Sequence, residues 1–358
     1  MTPTETPTVT PTITPTPTST ETPTETPTVT PTATPTCSQP VITNIVYEDT
    51  STTKGDITIT WDSVADVTYD IYSSDTFAGT YSTIASVTAT GGSTSWTDDG
   101  TWIGGSHPST KDERYYKIAC QGPNYAEYIV GMFKRVMDYD SYWKAYTSAS
   151  SPFIPYYSGT APDINEWIGN QGHPDPDRGY ADKIWEFDSS TQSFDKYCWN
   201  NNGTWEQYGG ADTTLDPSTG YAFMYQNSES DTAQDIYLVG KAARGDDCVN
   251  TITGKGAAIS TCSYVGYNYV DTESMAGSNI LASGFIGSAL KGWSDKLWPF
   301  NFDTQSFRGH AWYRTSDSSW QYYNVTLPFN LTPGEAYLVY NRNTASDWTW
   351  TVTNPASY

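Results

Sequence analysis

The C-terminal half of the chain contains an internal repeat, which constrains the fold more than any other feature. Residues 181–199, ADKIWEFDSSTQSFDKYCW, return at residues 294–312 as SDKLWPFNFDTQSFRGHAW, at a constant offset of 113 residues. The likeness continues from GTWEQY to SSWQYY and from LDPSTGYAFMY to LTPGEAYLVYN. This period is too long for a solenoid or a propeller blade. Each copy is therefore predicted to be a small β domain or one half of a pseudo-symmetric domain.

The repeat suggests which aromatic residues serve the fold and which bind a ligand. The tryptophans shared by both copies are predicted to be core or turn residues: Trp185 and Trp298, Trp199 and Trp312, Trp205 and Trp320. At the same offset Trp143 and Trp167 align with a glycine and an isoleucine, and SDWTWTV places Trp348 and Trp350 on one side of a final strand. Exposed aromatic faces stack on sugar rings and on partner surfaces. These last four tryptophans are therefore candidate ligand-binding residues; the alternative for the final two is a buried pair at a strand edge.

Residues 2–36 alternate Thr with Pro and other residues, and Thr occupies every even position. Pro fixes φ and favours extended geometry in the residue before it, while Thr offers too little apolar surface for a packed core. At about 3.1 Å per residue, such a polyproline-like spacer would span roughly 100 Å. Residues 1–38 are therefore predicted to be a Thr/Pro-rich linker of the kind found in secreted and surface proteins. The alternative is a disordered tail without a spacing role.

This N-terminal tract does not have the features of a secretory signal. The first lysine is Lys54, and no apolar run precedes it. We therefore expect Met1 to be an internal start and the natural chain to continue upstream. No stretch approaches 18 consecutive apolar residues, so no membrane insertion is expected. The predicted location is extracellular, either secreted or on the cell surface.

Residues 39–136 show the alternation of half-buried strands. GDITITWDSVADVTYDIYSSD reads as a hairpin, and TYSTIASVT, TSWTDDG, RYYKIAC and AEYIVGMFKRV supply further strands. This segment resembles a bacterial fibronectin type III domain, with Trp61 at the position of its core tryptophan and Tyr115 or Tyr116 at that of its tyrosine corner. The resemblance implies a spacer or adhesive β-sandwich without catalytic residues. The insert TWIGGSHPSTKDE departs from the family pattern.

The two copies are predicted to occupy residues 137–243 and 244–358. They loosely resemble an uncharacterised β repeat that follows Thr/Pro linkers in large secreted bacterial proteins, which implies location and modularity but no activity. Composition agrees with an all-β chain, because aromatic residues reach 15% and include 28 Tyr and 14 Trp. The chain has 40 acidic against 18 basic residues. This balance repels nucleic acid and anionic lipid, so neither is expected as a partner.

The acidic segment HPDPDRGYAD is a candidate calcium site. Asp175, Asp177 and Asp182 surround a Gly turn and could supply the hard oxygen ligands that Ca²⁺ prefers. The spacing is not that of an EF-hand loop, and the second copy has GSALKGWSD instead. Since Asp182 belongs to the repeated set, the alternatives are a turn-capping role for Asp182 and a solvated acidic loop. No other cofactor is predicted.

The chain has five cysteines, whose pairing would indicate whether the protein is in an oxidising compartment. Cys248 and Cys262 bracket VNTITGKGAAIST and are candidates for a loop disulfide, whose closure would contribute roughly 3 kcal/mol. Cys120 and Cys198 lie on predicted strands, where buried, unpaired thiols are the alternative. Cys37 lies where the linker meets the first predicted domain. An odd count leaves one thiol free or paired outside the chain, and no C-x-x-C motif suggests zinc or redox chemistry.

No catalytic motif is present. The chain has no G-x-S-x-G, no H-E-x-x-H and no phosphate-binding glycine loop, so no enzyme activity is predicted. The sequence favours a non-catalytic, modular β protein that presents adhesive or binding surfaces, to an extracellular glycan or protein, on an extended tether. Two alternatives remain open. One is the accessory, carbohydrate-binding C-terminal region of a larger extracellular hydrolase; the other is a self-associating structural subunit of an extracellular filament or surface layer.

Overall fold

A computed structural model describes most of the chain after the linker. The described residues are 11–12, 37, 39–48, 55–102, 105–120, 124–138, 145–156, 163–208, 222–228, 232–244, 249–307, 309–325 and 329–352. They form antiparallel β-sheets with two short α-helices, which confirms the predicted all-β fold class. The predicted linker, residues 1–38, lies almost wholly outside them. The described residues from Cys37 onward belong to one compact unit.

The first part of this unit is a β-sandwich. Its strands are β1 (Val41–Glu48), β2 (Asp56–Asp62), β3 (Thr68–Ser74), β4 (Ser82–Thr88), β5 (Ser93–Asp98), β6 (Glu113–Cys120), β7 (Asn124–Tyr125) and β8 (Val130–Met137), with a 3₁₀ turn at Pro108–Thr110. One sheet has the order β1-β2-β5, and the other contains β4-β3-β6-β8, with β7 paired to the end of β6. Ile57, Ile59 and Trp61 of β2 are fully buried, because alternate residues of a strand share a face. Buried Tyr116 donates a hydrogen bond of 2.7 Å to Asp98. Membership of the fibronectin type III family stays a prediction.

A disulfide joins Cys37 to Cys120 at the end of β6, with a Cα–Cα distance of 6.2 Å. Cys120 lies in the sandwich core, so the bond fixes the start of the folded chain to a central strand. The sequence did not suggest this pair, since 83 positions separate the two cysteines. The predicted partner of Cys262, Cys248, lies outside the described residues. Cys262 itself is a free cysteine, so its predicted disulfide is not formed here.

The two copies of the repeat form five-stranded sheets of the same strand order. Copy 1 contains β9 (Ala145–Ser150), β10 (Phe153–Ile154), α1 (Ile164–Trp167), β11 (Lys183–Asp188), β12 (Ser193–Asn201), β13 (Thr204–Tyr208), β14 (Ala222–Asn227) and β15 (Gln234–Ala242). Copy 2 contains β16 (Val249–Ile252), β17 (Thr261–Gly266), β18 (Glu273–Ser274), α2 (Ile280–Ser283), a 3₁₀ turn at Lys291–Trp293, β19 (Lys296–Pro299), β20 (His310–Arg314), β21 (Ser319–Tyr323), β22 (Asn330–Leu331), β23 (Ala336–Asn341) and β24 (Trp348–Thr351). The orders are β9-β14-β11-β12-β13 and β17-β23-β19-β20-β21. Every strand of one sheet thus has a counterpart in the other.

In each copy, the strand that precedes the five-stranded sheet in sequence pairs with the strand that follows it. The pair is β16 with β24 in copy 2, and β8 with β15 in copy 1. In copy 1 the pair also extends the sandwich sheet, because β8 pairs with β6 along its other edge. Strand β8 therefore belongs to the sandwich and to copy 1 together. The boundary predicted after residue 136 falls inside this shared strand and does not separate two modules.

The copies contact each other through a pseudo-two-fold interface. Gln192 accepts a hydrogen bond from the Cys262 N–H at 2.5 Å and donates to the Cys262 carbonyl at 3.0 Å. Its counterpart Gln305 makes the same two bonds to Tyr146, at 2.7 and 3.3 Å. Reciprocal contacts of this kind define an isologous interface. Of the two predicted alternatives, the structure therefore favours two halves of one pseudo-symmetric body.

The centre of this interface is polar on the axis and aromatic around it. Ser148 and Tyr264 are counterparts, and their hydroxyl oxygens lie 2.5 Å apart. One hydroxyl donates to the other, and the Ala336 carbonyl, 3.0 Å from Ser148, and the Phe223 carbonyl, 3.2 Å from Tyr264, are the acceptors within reach of the remaining hydroxyl hydrogen. The rings packed around the axis are Phe187, Phe194, Tyr264, Phe300 and Phe307. These contacts explain why the TQSF sequence is repeated.

The structure also corrects the alignment at the start of the repeat. Helices α1 and α2 begin at Ile164 and Ile280, which are both fully buried and lie 116 residues apart. The interface counterparts Tyr146 and Cys262 show the same spacing. Copy 1 therefore has three more residues than copy 2 between this helix and the window of offset 113. Ile280 is the counterpart of Ile164 and not of Trp167.

A buried aspartate closes each sheet at the same place. Asp182 accepts bonds from the His173 N–H at 2.7 Å and the Ser228 N–H at 2.6 Å. Asp295, its counterpart, accepts bonds from the Ile286 and Arg342 N–H groups, both at 2.8 Å. Each carboxylate thus ties the loop before one strand to the end of the neighbouring strand. We call these residues the aspartate clamps; they confirm the predicted turn-capping role of Asp182.

Candidate ligand-binding sites

Three of the four tryptophans predicted to bind a ligand are core residues, and Trp143 lies outside the described residues. Trp167 of α1 is 3% exposed and packs against Phe223 with a centroid distance of 5.6 Å. Trp348 and Trp350 share one face of β24, as predicted, but that face is buried in the core of copy 2. A ligand cannot reach these rings. The prediction that Trp167, Trp348 and Trp350 form a binding surface is therefore wrong.

The acidic loop of copy 1 is organised by its own hydrogen bonds. Asp175 accepts a bond from the Asp177 N–H at 2.6 Å, and Asp177 accepts one from the Gly179 N–H at 2.8 Å. Asp182, the aspartate clamp of copy 1, is fully buried. Burial raises the pKa of its carboxyl group, and the hydrogen bonds that it accepts offset only part of this rise. Among the described residues, no group of three or more His, Cys, Asp or Glu side chains could hold a metal ion. The three aspartates predicted to bind calcium therefore accept hydrogen bonds from backbone N–H groups that close this turn.

Each copy presents one exposed aromatic ring on the turn that precedes its aspartate clamp. Tyr180 is 66% exposed, and its counterpart Trp293 is 62% exposed. Both turns are closed by the same backbone hydrogen bond. The Tyr180 N–H donates to the Asp177 carbonyl at 2.8 Å, and the Trp293 N–H donates to the Leu290 carbonyl at 3.0 Å. The turn and the clamp that follows it therefore hold each ring in solvent.

A cation two residues before each ring lies over an exposed tyrosine of the neighbouring edge strand. The Arg178 guanidinium carbon is 3.7 Å from the centroid of Tyr208, and Lys291 Nζ is 3.6 Å from that of Tyr323. Both tyrosines are nearly half exposed, at 43% and 45%. Cations are attracted to aromatic faces in this geometry. We call the two constellations site 1 (Arg178, Tyr180, Tyr208) and site 2 (Lys291, Trp293, Tyr323).

A row of rings supports the exposed tyrosine of site 1 from behind. Tyr208 contacts Tyr197 at a centroid distance of 4.9 Å, and Tyr197 contacts Trp185 at 4.4 Å. The three residues lie directly opposite one another on β13, β12 and β11. The Trp185 indole N–H donates to Gln226 at 3.1 Å, so its hydrogen bond is satisfied. Such cross-strand aromatic pairs stabilise a sheet and restrict the rings.

The row behind site 2 replaces the central tyrosine with a histidine. His310 lies between Tyr323 and Trp298, at centroid distances of 5.3 and 5.7 Å. Burial, with the nearby charges of Lys296 and Lys291, lowers the pKa of His310 to about 4. The imidazole is therefore neutral at physiological pH. Among the described residues, the buried atoms Trp298 Nε1 and His310 Nε2 have no hydrogen-bond partner, unlike the indole nitrogen of Trp185.

Sequence reasoning missed both sites, although a signal for them exists. RGY at residues 178–180 and KGW at residues 291–293 stand directly before the repeated segment, at the same offset. Aromatic residues shared by both copies were assigned to the core or to turns, so the two rings at these equivalent positions were not considered as binding residues. Exposure shows that the fold does not need the two rings, so their repetition calls for another explanation. A pattern of cation, glycine and aromatic residue before each copy was the available signal.

A groove beside the pseudo-two-fold interface is the alternative location for a ligand. It has a volume of about 420 Å³ and is lined by charged side chains of the sandwich and copy 2. Four of these charged residues already pair within the protein. Lys134 lies 2.8 Å from Asp112, and Arg135 lies 2.9 Å from Glu335. The groove therefore offers fewer free groups to a ligand than the two exposed sites.

Comparisons of the chain with protein-family models, curated proteins and solved structures found no match. Within the described ranges, neither helix has the length and hydrophobicity required to cross a bilayer.

Proposed function

We propose that the protein is a non-catalytic, extracellular binding protein that presents sites 1 and 2 to saccharides. The observation that carries this proposal is the repetition of an exposed ring, Tyr180 in one copy and Trp293 in the other, which the fold does not need for its core. A single exposed ring is common on protein surfaces, but here each exposed ring lies beside a second exposed tyrosine and a cation, and such grouped aromatic surfaces mark binding sites. Their retention at equivalent positions therefore supports a shared binding role.

The chemistry of the sites suits sugar rings. The C–H faces of a pyranose pack on an aromatic ring that is held in place and open to solvent, and Tyr and Trp add a polar edge for hydrogen bonds. In each site the cation and the second tyrosine supply further donors beside the ring. Two equivalent sites on one rigid body also favour a repetitive polymer, because the second contact becomes intramolecular.

The proposed compartment rests on the disulfide and the linker. A bond between Cys37 and Cys120 persists in oxidising surroundings and is rare in the cytosol. The Thr/Pro tract that precedes Cys37 is typical of spacers in secreted and surface proteins. The same binding function would serve a surface protein or the accessory region of a larger hydrolase, so the proposal includes both settings.

A glycan array with the purified protein tests the proposal. We expect wild-type protein to bind a polysaccharide, and a Tyr180→Ala/Trp293→Ala variant to bind at least about tenfold more weakly, because ring stacking contributes on the order of 1–2 kcal/mol per site. Tyr125→Ala is the matched control, since Tyr125 is an exposed ring at 40% but lies on β7, outside both sites. Equal binding by the double variant and wild type, or no binding by wild type, would refute the proposal.

A further inference from the structure

Sites 1 and 2 share their geometry but differ in charge. Around site 2, the Arg342 guanidinium carbon lies 4.6 Å from the centroid of Trp293, and Lys296 Nζ lies 4.5 Å from that of Tyr340. Lys291 lies over Tyr323, and its charge and that of Arg342 both act on Lys296, so three cations cluster at site 2. The chain as a whole has only 18 Lys and Arg and a net charge of −22, so this concentration is unusual for it.

The counterpart positions in copy 1 are less basic. Arg342 corresponds to Ser228, at the end of the equivalent strand. Leu290 corresponds to Asp177, whose carbonyl closes the same turn. Gln321 of β21 corresponds to Glu206 of β13, since each lies opposite the last tryptophan of the preceding strand. At these three positions copy 1 has two acidic residues and no basic residue, whereas copy 2 has one basic residue and no acidic residue.

Within the described part of the protein, the cations of site 2 form no direct ion pair. Among the described residues, no carboxylate oxygen lies within 4.0 Å of a side-chain nitrogen of Lys291, Lys296 or Arg342. Lys296 is only 9% exposed. Burial and the charges of Arg342 and Lys291 lower the pKa of its ammonium group, and the neighbouring Asp295 carboxylate offsets only part of that effect. A buried ammonium ion without a counter-ion is costly, and an anion bound nearby would offset that cost.

We infer that site 2 binds a carboxylate-bearing saccharide, such as a uronic acid unit, while site 1 binds a neutral one. This inference rests on the proposed function. The sugar ring packs on the face of Trp293 that Arg342 leaves open, and its carboxylate takes charge-assisted hydrogen bonds from Arg342 and Lys291. Such bonds are roughly twice as strong as neutral ones. Lys296 adds to the positive field from within the sheet. An acidic polymer with neutral segments would engage both sites.

The test compares two ligands that differ only in charge. Binding of an oligogalacturonate and of its fully methyl-esterified form is measured by isothermal titration calorimetry in about 0.15 M NaCl, where the Debye length of about 8 Å screens the distant acidic surface. We expect the acid form to bind at least about tenfold more tightly, as one charge-assisted hydrogen bond implies. Dextran sulfate is the third ligand, and we expect it to bind more weakly than oligogalacturonate because it lacks the planar carboxylate.

Three variants assign the effect to site 2. Arg342→Ser installs the residue that copy 1 has at this position, and Lys291→Gln removes the second cation; each should abolish most of the preference for the acid form. Arg178→Gln, the matched change in site 1, should not reduce the preference. The clamp bond to Arg342 comes from its backbone, so the fold should survive this substitution, and unchanged circular dichroism confirms it.

The outcomes separate the inference from the proposed function. Equal binding of the acid and the methyl ester would overturn the inference while leaving saccharide binding intact. Dextran sulfate binding as tightly as oligogalacturonate would show simple charge attraction and would also overturn it. If Arg178→Gln removed the preference as fully as Arg342→Ser, the assignment to site 2 would be wrong. A protein that binds no saccharide of any kind would refute the proposed function itself.

Discussion

Removing the disulfide should destabilise the protein by about 4 kcal/mol, because an unfolded chain closed over 83 positions regains that much loop entropy when the bond is absent. Cys37→Ala is the cleanest change, since it breaks the link and leaves the buried Cys120 side chain in the core. The free energy of unfolding is measured by urea denaturation followed by tryptophan fluorescence. Cys262→Ala, which removes a free cysteine, should change it by less than about 1 kcal/mol.

Reduction provides the control for this prediction. Wild-type protein in dithiothreitol should unfold at the same urea concentration as Cys37→Ala, and dithiothreitol should not affect the variant. If reduction left the wild-type midpoint unchanged, Cys37 and Cys120 would not be joined in solution. The proposed oxidising compartment would then lose its main structural support.

Replacing either aspartate clamp should have a similarly large effect. Asp182→Ala and Asp295→Ala each strip a fully buried acceptor from at least two backbone N–H groups. Hydrogen bonds to charged groups contribute about 1.5–3 kcal/mol each, so we expect a loss of roughly 3–5 kcal/mol. The two variants should behave alike because the clamps occupy equivalent places. Thermal unfolding by differential scanning calorimetry would measure the effect.

The same experiment distinguishes a structural role of Asp182 from a role in calcium binding. Asp177→Ala is the matched control, because Asp177 is an exposed residue of the same loop and its carboxylate accepts a bond from the nearby Gly179 N–H. It should cost less than about 1 kcal/mol. Neither EDTA nor added calcium should shift the melting temperature of wild-type protein. A clear drop in EDTA, matched by Asp177→Ala, would support the calcium interpretation of the acidic loop.

Local sequence patterns predicted strands well, but the hairpin predicted from GDITITWDSVADVTYDIYSSD is wrong, because β2 and β3 lie in different sheets. The alternation of Ile57, Ile59 and Trp61 predicted a half-buried strand, and W-x-W placed Trp348 and Trp350 on one face. The pattern could not show which face other elements would cover, and this is why two core tryptophans were taken for a binding surface. The identity of Asp182 in both copies predicted a structural role, because a turn must be closed wherever the fold repeats.

Features that depend on distant contacts were not accessible from one sequence. Gln192 looked like part of a turn, yet its amide bonds to a strand 70 residues away in the other copy. Strand β8 belongs to both the sandwich and copy 1 because β15 pairs with it. The spacing of apolar residues in a strand does not show which distant strand will pair with it. Tyr180 and Trp293 were visible in the repeat, but only their exposure distinguishes a binding ring from a core ring. Exposure is a property of the assembled sheets.

A crystal structure of the protein soaked with the saccharide that binds it tests the central claim most directly. The account predicts a sugar ring packed on Tyr180, on Trp293 or on both, within van der Waals distance of the aromatic face. Sugar density in the charged groove between Lys134 and Glu335, with both rings bare, would contradict it.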